Sequence, residues 1–551
     1  MRAKNYIREA LYQVVEDLGL SWSEKISVER PKEDKFGDMA TNAAMVLAKT
    51  AGEKPFDLAE NIKQQVLASY AQIENIEVAG PGFLNFFFYP GFWQQTCFDV
   101  LQGEESYGSL NYGQDNSVLI EYVSANPTGP LHIGHGRGAA VGDSLSRILR
   151  FAGYDVKTEY YVNDVGRQVF ILGKSVWVRY QQLLEMDAAL DEQSYKGDYI
   201  WEIAKQVLRL YGRDLLREEE SRAIEICRDI ALEYILGGIK RDLQEFRTQH
   251  ENWFSEQELV EKKLVNESLD FLTQKGYAYE QEGALWFKSS SLGDDKDRVL
   301  RKSDCELTYF ASDVAYHKEK FQRGFDMLID VWGADHHGYV PRIKAAVQAM
   351  GYAKESLQMI LIQLVNLVRN GEYVSMSTRE GDFETLSDVC AEVGVDAARF
   401  IFLSRKSDSH LDFDLDLLKR KSMDNPVYYV QYAYARICSV YKKAEERGVA
   451  LDAATPEILA CLNTREDMEL LKSMERFPEV VEAAAKNLSP HFITYYLQDL
   501  AGMLHRYYNK HQVLNTGDLS LEQARMYMML CVARVLGNGL TLLGVSAPET
   551  M

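Results

Sequence analysis

The segment from Val118 to Phe151 constrains the fold more than any other part of this chain. An apolar run, Val118–Ile120, precedes a turn rich in proline and glycine, and a helical pattern then extends from Gly136 to Phe151. This order predicts a strand, a tight loop and a helix N-terminus, where free backbone N–H groups and the helix dipole favour phosphate binding. Gly153 and a second predicted strand, Val156–Val162, complete the pattern of a βαβ nucleotide-binding unit.

Two histidines, His132 and His135, flank Gly134 at the predicted start of this helix. Imidazole groups can donate hydrogen bonds to an oxyanion there, so we expect the pair to hold nucleotide phosphates and to stabilise charge that develops in a transition state. Gly134 is expected to leave room for a flat ring against the backbone. Metal ligation and plain helix capping are the alternatives, and the Asn-Pro-Thr-Gly-Pro turn before the pair favours the nucleotide site.

Length and composition restrict the class of protein. A chain of 551 residues is too long for one hydrophobic core, so we expect several domains. Seven scattered cysteines form no Cys-x-x-Cys pair, which argues against zinc and favours a reducing compartment. We expect no signal peptide and no membrane span, because no run of about 18 apolar residues occurs. The expected location is therefore the cytoplasm.

The net charge of −21 argues against a uniformly basic nucleic-acid-binding protein. Net charge governs solubility and steering, however, and an acidic enzyme can still present a local basic path. The alternative for each cation of such a path is an ordinary solvated helix face. The candidate cations lie in the C-terminal third: Arg399, Arg405, Lys406, Lys419, Arg420, Lys421, Arg436, Lys442 and Lys443.

The string Ser-Ala-Asn-Pro-Thr-Gly-Pro-Leu-His-Ile-Gly-His-Gly-Arg, which begins at Ser124, resembles the first signature of class I aminoacyl-tRNA synthetases in its arginyl-tRNA synthetase version. The segment Phe36–Asn42, expected to open a helix, and the Gly-Pro-Gly turn before Phe83–Phe88 resemble the additional N-terminal domain of that family. The tyrosine-rich segment after Asn425 resembles its anticodon-binding bundle. The resemblance covers nearly the full length of the chain.

The resemblance implies an α/β fold with a Rossmann-like catalytic domain, an α+β N-terminal domain and an all-α C-terminal bundle. Read with the patterning, it divides the chain into five segments. They are an N-terminal domain that contacts the tRNA elbow (1–110), the first catalytic half (111–185), a helical insertion (186–290), the second catalytic half with a second signature loop (291–391) and the helical anticodon-binding domain (392–551).

ATP contacts are implied along the first signature and after an apolar strand at Met327–Trp332. A glycine and a carboxylate at a strand end suit a ribose, and Gly333, Asp335 and His336 follow this strand. The His336–His337 pair alternatively suggests a metal site, but no third ligand has suitable spacing, so we expect no structural metal. The ATP contacts expected in the first signature are Ala125, Pro127, Thr128, Gly129, Pro130, Leu131 and Ile133.

The second class I signature is a Lys-Met-Ser-Lys-Ser loop, and the matching stretch here is Ser375-Met376-Ser377-Thr378-Arg379. It follows a strand predicted over Met359–Val368 and a hairpin-like turn. Both lysines are missing, so Met376 and Ser377 are the implied ATP contacts and Arg379 is the candidate catalytic cation for the leaving pyrophosphate. The lysine that some arginyl enzymes carry before the first signature is also absent. The family often activates its amino acid only with tRNA bound, and we expect the same here.

Four residues are implied to bind arginine: Glu121, Asn126, Tyr309 and Asp313. A guanidinium group offers five N–H donors in a planar fork and requires carboxylate or amide acceptors. Tyr309 and Asp313 are four residues apart in a predicted helix and therefore share one face. Asp313 and Glu121 are the implied charge partners, Tyr309 packs on the side chain and Asn126 binds the backbone amine. Each could otherwise be an ordinary surface or capping residue.

Anticodon bases are expected to stack on Tyr428 and Tyr432 beside the cation of Arg436, because aromatic faces next to a positive charge suit unstacked bases. Helix packing is the alternative for the tyrosines. The implied activity is that of an arginine–tRNA ligase, which uses ATP with Mg²⁺, L-arginine and tRNA and most simply acts as a monomer. The rivals are a class I lysyl enzyme, a small cofactor adenylyltransferase and a non-catalytic RNA-binding relative.

Overall fold

The computed structural model describes residues 1–374, 384–449, 451 and 453–551. Its N-terminal part packs three helices on an antiparallel sheet with the strand order β1-β2-β4-β3, and a fourth helix packs against the C-terminal helices. The Gly-Pro-Gly turn joins β3 to β4, and both of its glycines have positive φ, which favours glycine there. In chain order the elements are α1 (Arg2–Asp17), β1 (Val28–Glu29), β2 (Met39–Thr41), α2 (Ala43–Ala51), α3 (Pro55–Ser69), β3 (Ile73–Ala79), β4 (Phe83–Phe88) and α4 (Pro90–Gly103).

The segment Phe36–Asn42 does not open a helix as expected. Residues Met39–Thr41 pair with β4 as strand β2, and α2 begins only after Asn42. Pairing with the buried strand β4 overrides local helix propensity at this point.

The βαβ unit predicted around the first signature is confirmed, since its two strands pair in parallel. The helix begins at Ile133, three residues before the predicted start, because His132 acts as its N-cap. The elements are β5 (Ser117–Glu121), α5 (Ile133–Phe151), β6 (Asp155–Val162) and α6 (Arg167–Leu183).

The region expected to be a helical insertion also contributes strands. One of them, β7, extends the central sheet in parallel to β6. Two others, β8 and β9, form a small antiparallel sheet of order β10-β9-β8 with β10, which lies just beyond the predicted insertion. These four-residue strands are too short to show a period in the sequence. The elements are α7 (Asp198–Tyr211), α8 (Glu220–Glu245), β7 (Asn252–Ser255), α9 (Glu256–Glu261), α10 (Leu264–Gln274), β8 (Ala278–Gln281), β9 (Ala284–Phe287) and β10 (Arg298–Arg301).

The second catalytic half completes a parallel sheet of order β12-β11-β5-β6-β7. The strand predicted over Met359–Val368 is two strands in two sheets, separated at Gln363 and the exposed Leu364. The strand β13 turns back antiparallel to β14, as the hairpin-like turn suggested. The elements are α11 (Tyr309–Gln322), β11 (Met327–Gly333), α12 (Val340–Ala349), β12 (Leu357–Ile362), β13 (Val365–Arg369) and β14 (Glu372–Tyr373).

The remainder is mainly helical, but after its first two helices it contains a strand, β15, that pairs in parallel with β13. Long helices then form a bundle around a core that includes Val430 and Ile437. No helix among the described ranges is long and apolar enough to cross a membrane. The elements are α13 (Leu386–Val393), α14 (Val395–Phe402), β15 (Leu411–Asp414), α15 (Leu415–Leu418), α16 (Pro426–Glu446), α17 (Pro456–Leu459), α18 (Arg465–Lys486), α19 (His491–Lys510) and α20 (Leu519–Leu542).

Candidate active site

A cavity of about 820 Å³ opens where the strands of the central sheet end. Ligands of parallel α/β sheets bind at this edge, beyond the carboxyl ends of the strands. The walls come from the first signature, the start of α11, the segment after β11 and the β12–β13 connection. The sequence-predicted residues that line it are Glu121, Ala125, Asn126, His132, Gly134, His135, Tyr309, Asp313, Gly333, Asp335 and His336.

The N-terminus of α5 fixes the orientation of both histidine rings. His132 is the N-cap residue, and its Nδ1 accepts the backbone N–H of Gly134 at 3.1 Å. His135 Nδ1 lies 3.3 Å from the backbone N of His132, whose N–H it accepts. Because both Nδ1 atoms accept hydrogen bonds, each neutral ring carries its proton on Nε2.

Burial keeps these two rings neutral. Desolvation lowers the pKa of His132. The pKa of His135 falls to about 3, because that ring is desolvated and lies against His132. Near neutral pH both side chains are therefore neutral donors through Nε2–H. Such donors suit phosphate oxygens on which negative charge increases during a reaction.

Gly134 lines the cavity and also gives space to the helix cap. A Cβ atom at Gly134 would lie 3.0 Å from Cε1 of His132, so the glycine makes room for that imidazole. Gly138 is one turn further along α5 and also lines the cavity. A Cβ atom there would meet no atom within 4 Å, so the missing side chain of Gly138 widens the cavity.

The predicted ATP contacts of the first signature fall into three groups. Ala125 lines the main cavity. Thr128, Gly129 and Pro130 instead line a neighbouring cavity of about 730 Å³, which shares Asn126, His132, His135 and Tyr309 with the first. The side chains of Pro127, Leu131 and Ile133 are buried in the protein. Their apolar packing anchors the turn, and they line neither cavity.

The segment after β11 reaches the rim of the main cavity. Asp335 and His336 are exposed there, with 3.5 Å between the Asp335 Oδ2 and His336 Nε2 atoms. His337 turns back, and its Nδ1 is 3.2 Å from the carbonyl oxygen of Ala334. Within the described ranges, no three His, Cys, Asp or Glu side chains are grouped to hold a metal ion.

The four residues implied to bind arginine lie in one cavity but have different surroundings. Asp313 accepts a hydrogen bond from the hydroxyl of Tyr339, and burial raises its pKa. Glu121 is bound by the ammonium of Lys320, and burial raises its pKa while Lys320 opposes the rise. Asn126 Oδ1 accepts the Asn163 amide at 3.2 Å. The Tyr309 ring is 69% exposed, so it stands open at the mouth of the cavity.

Several cavity residues were not predicted. The hydroxyl of Tyr339 donates a hydrogen bond to Asp313, which is 26 residues away in the sequence, and no local sequence pattern predicts that contact. Gln363 lies in the β12–β13 connection, which the sequence presented as one strand. Tyr316 and His317, by contrast, continue the spacing of Tyr309 and Asp313 along one helix face and could have been found in that way. The predicted contacts Met376, Ser377 and Arg379 lie outside the described residues.

The predicted tRNA contacts form a half-buried stripe on the C-terminal bundle. The rings of Tyr428 and Tyr432 are nearly parallel, at 9°, with 5.8 Å between centroids. The guanidinium of Arg436 lies 5.0 Å from the Tyr432 ring and 4.4 Å from the Tyr508 ring of α19. We call Tyr428, Tyr432 and Arg436 the aromatic stripe.

Arg399 is not part of a surface basic path. Its side chain is fully buried, and it donates to the Asp143 carboxylate and to the carbonyl oxygens of Phe246 and Leu543. Arg399 therefore joins α5 to the end of α20 inside the protein. A cation in this position cannot contact RNA.

Comparison with known proteins covers the whole chain. Three family models match: "Arginyl tRNA synthetase N terminal domain" at residues 2–88, "tRNA synthetases class I (R), catalytic domain" at 97–412 and "DALR anticodon binding domain" at 430–551. The chain is 55% identical to the arginine–tRNA ligase of Oleidesulfovibrio alaskensis, and the alignment covers all of both chains. The chain belongs to the arginyl-tRNA synthetase family.

Solved structures agree with this arginyl-tRNA synthetase fold. A protein from Campylobacter jejuni, described as a putative arginyl-tRNA synthetase, has 37% identity and a TM-score of 0.77, and it covers 84% of this chain and 100% of its own. The arginyl-tRNA synthetase of Thermus thermophilus has 23% identity and a TM-score of 0.75 with full coverage of both chains. At that identity the Thermus structure supports the fold alone.

Proposed function

We propose that this chain is an arginine–tRNA ligase whose chemistry takes place in the 820 Å³ cavity. A carboxylate oxygen of L-arginine attacks the α-phosphorus of ATP, supplied as its Mg²⁺ complex, and pyrophosphate leaves. A ribose hydroxyl of the 3′-terminal adenosine of tRNA then attacks the arginyl carbonyl carbon, and AMP leaves. The observation that carries this proposal is the meeting of Asp313 with the two neutral imidazoles in one cavity.

Asp313 is the proposed partner of the guanidinium group. Its carboxylate receives a neutral O–H donor from Tyr339, and it makes no salt bridge within the part of the chain that the structure describes. A half-buried, desolvated carboxylate without a salt bridge favours a cationic ligand with planar N–H donors. Lysine offers a compact ammonium and cannot present the same fork, so selection against lysine needs no editing step.

The remaining contacts follow from position in the cavity. Tyr309 packs against the arginine side chain, Asn126 binds its α-amino group and Glu121 contributes a second carboxylate. His132 and His135 donate from Nε2 to the α-phosphate as charge builds on it. Gly333, Asp335 and His336 hold the ribose and adenine side of ATP.

The second signature loop supplies further contacts to the triphosphate through Met376 and Ser377, with Arg379 as the cation for pyrophosphate. With both signature lysines missing, bound tRNA is required to complete the site before arginine is activated. The aromatic stripe receives anticodon bases, and the N-terminal domain contacts the tRNA elbow. We assign this activity to a monomer in the cytoplasm.

The test is aminoacylation of tRNA with radiolabelled arginine, with lysine in a parallel reaction. We expect arginine to be transferred and lysine not to be. Transfer of lysine would identify the rival class I lysyl enzyme, and no transfer of either would favour a non-catalytic RNA-binding protein. ATP–pyrophosphate exchange with and without tRNA tests the tRNA requirement separately, since strong exchange without tRNA would contradict it.

A further inference from the structure

Three carboxylates lie side by side across the middle of the central sheet. The strand register pairs Glu121 of β5 with Asp330 of β11 on one side and with Glu159 of β6 on the other. Residues paired across adjacent parallel strands point to the same face of a sheet. All three are buried, and we call them the acidic row.

Helix α11 and its C-cap residue, Arg323, place two cations against the acidic row. Arg323 donates to both oxygens of Glu159, at 2.6 and 2.8 Å. Lys320 is fully buried, and its ammonium donates to Glu121 and, at 2.8 Å, to Asp330. The same ammonium lies 4.3 Å from the centroid of the Tyr316 ring. Two carboxylates and one aromatic ring, all of which stabilise a cation, therefore lie against this charge.

Lys320 remains charged in this position. Burial alone would lower its pKa, but attraction to Asp330 and Glu121 outweighs burial and raises the pKa above its usual value. The other oxygen of Asp330 is 2.8 Å from Nε2 of His317, whose Nδ1 faces the backbone oxygen of Asp313 at 2.8 Å. Asp330 is thus bound from two sides by α11, beneath the cavity.

Glu121 is the member of the acidic row that lines the cavity. Its Oε2 accepts from Lys320, and its Oε1 accepts the hydroxyl of Ser124 at 2.9 Å. These two donors fix the rotamer of Glu121 and the direction in which its remaining lone pairs face. Lys320, which does not itself line the cavity, therefore controls how Glu121 is presented to a ligand.

We propose that Lys320 is a positioning residue for arginine binding: it holds Glu121 toward the substrate and balances the charges of Glu121 and Asp330, so that the guanidinium charge is met by Asp313. This proposal rests on the proposed function and deepens it. Arginine specificity then depends on a lysine that never touches arginine, through a contact between residues 199 positions apart.

The test is Lys320→Met, which keeps the side-chain length and removes the ammonium. We expect the KM for arginine to rise at least about ten-fold in tRNA aminoacylation, while kcat and the KM for ATP stay within about two-fold of the wild-type values. The reason is that the variant loses arginine binding that is equally strong in the ground state and in the transition state. A structural defect that spread through the fold would lower kcat and raise both KM values.

Two further variants separate positioning from stability. Arg323→Met removes the ion pair that the C-cap residue of the same helix makes with the acidic row, but its partner Glu159 does not line the cavity. We expect it to lower the melting temperature and leave the arginine KM unchanged. The double variant K320M/D330N removes one charge of each sign. If K320M alone fails to fold, the arginine KM is measured in this double variant instead. We expect it to be stable and still to have the raised arginine KM.

A wild-type arginine KM in folded K320M/D330N would overturn the role of Lys320, as would an equal rise of the arginine KM in R323M. The wild-type chain in the same assay distinguishes these outcomes from failure of the proposed function. If the wild-type chain does not charge tRNA with arginine, the ligase assignment fails whatever the variants do.

Discussion

The imidazole rings of His132 and His135 stack with centroids 3.7 Å apart, and each ring accepts a backbone N–H through Nδ1. One pair of side chains thus closes the N-terminus of α5 and presents two Nε2–H donors. The capping alternative and the phosphate-binding alternative for this motif therefore describe different nitrogens of the same rings.

Because Nδ1 caps the helix and Nε2–H is the donor, two amide substitutions of His135 should give different results. Asn places its amide where Nδ1 lies, so His135→Asn keeps the cap and loses the Nε2–H donor. We expect its ATP–pyrophosphate exchange with arginine and tRNA to fall by on the order of 10²-fold, as for loss of one oxyanion donor, with little change in melting temperature. Gln places its amide near Nε2, so His135→Gln should retain more exchange activity and melt earlier. Equal activity in folded His135→Asn would reject the donor role.

Acid should destabilise the same cap. In the folded chain the pKa of His135 is about 3, whereas its ordinary value is 6.5, so the unfolded state takes up the proton first as the pH falls. The contribution of His135 is present above pH 6.5 and is lost progressively between pH 6.5 and about 3. At about one pH unit below 6.5, this one group lowers the free energy of unfolding by about 1 kcal/mol relative to its value at higher pH. Urea unfolding of wild type and His135→Asn across this range should show the smaller acid dependence in the variant.

Arginine affinity should fall as the pH falls, because burial raises the pKa of Asp313 and the protonated form has no charge for a guanidinium. The arginine KM of the wild type should therefore rise toward acid pH, with the ATP KM as the internal reference. Asp313→Asn should raise the arginine KM by on the order of 10- to 100-fold at neutral pH, the value of a charged hydrogen bond. It should also remove this pH dependence. If the arginine KM of Asp313→Asn still rises toward acid pH as steeply as that of the wild type, the titrating group is not Asp313.

Local patterns in the sequence were sufficient for the parts of the fold that are long and apolar. The strand–turn–helix segment around His132 combines a buried run, turn residues and a helix of 19 residues, so its pattern is strong and local. The spacing of Tyr309 and Asp313 predicted a shared helix face for the same reason. Extended by two turns, it would also have reached Lys320.

The contacts that were missed depend on tertiary structure. The strand β7 has only four residues, which is too short for an alternation of apolar and polar residues to be recognised in the sequence. Its pairing with β6 depends on tertiary packing. The partner of Glu121 lies on α11, and Lys320, which follows Lys318 and Glu319 in the sequence, resembles a solvated cation until the helix is docked. Arg399 gave the same misleading signal, although its neighbours Ala398 and Phe400 are both apolar and buried.

The aromatic stripe should affect tRNA and not arginine. Tyr432→Leu keeps apolar bulk and removes the stacking face, so we expect the tRNA KM to rise about ten-fold. Arg436→Ala should weaken binding and reduce the salt dependence of tRNA affinity by about one counterion. Arg465, an exposed arginine of the same bundle that pairs with Glu469, offers a matched control. An equal effect of Arg465→Ala would mean that the stripe has no specific role.

Arg399 should contribute to stability and not to RNA binding. Arg399→Met leaves the Asp143 carboxylate with Arg147 as its remaining cation and leaves the carbonyl oxygens of Phe246 and Leu543 without this donor. Breaking a buried ion pair of this kind costs about 3 kcal/mol of unfolding free energy, which urea unfolding would measure. The double variant D143N/R399M should recover part of that loss, because no unbalanced carboxylate remains. The salt dependence of tRNA binding should match wild type in both variants, and a shallower dependence like that expected for Arg436→Ala would contradict the buried position of Arg399.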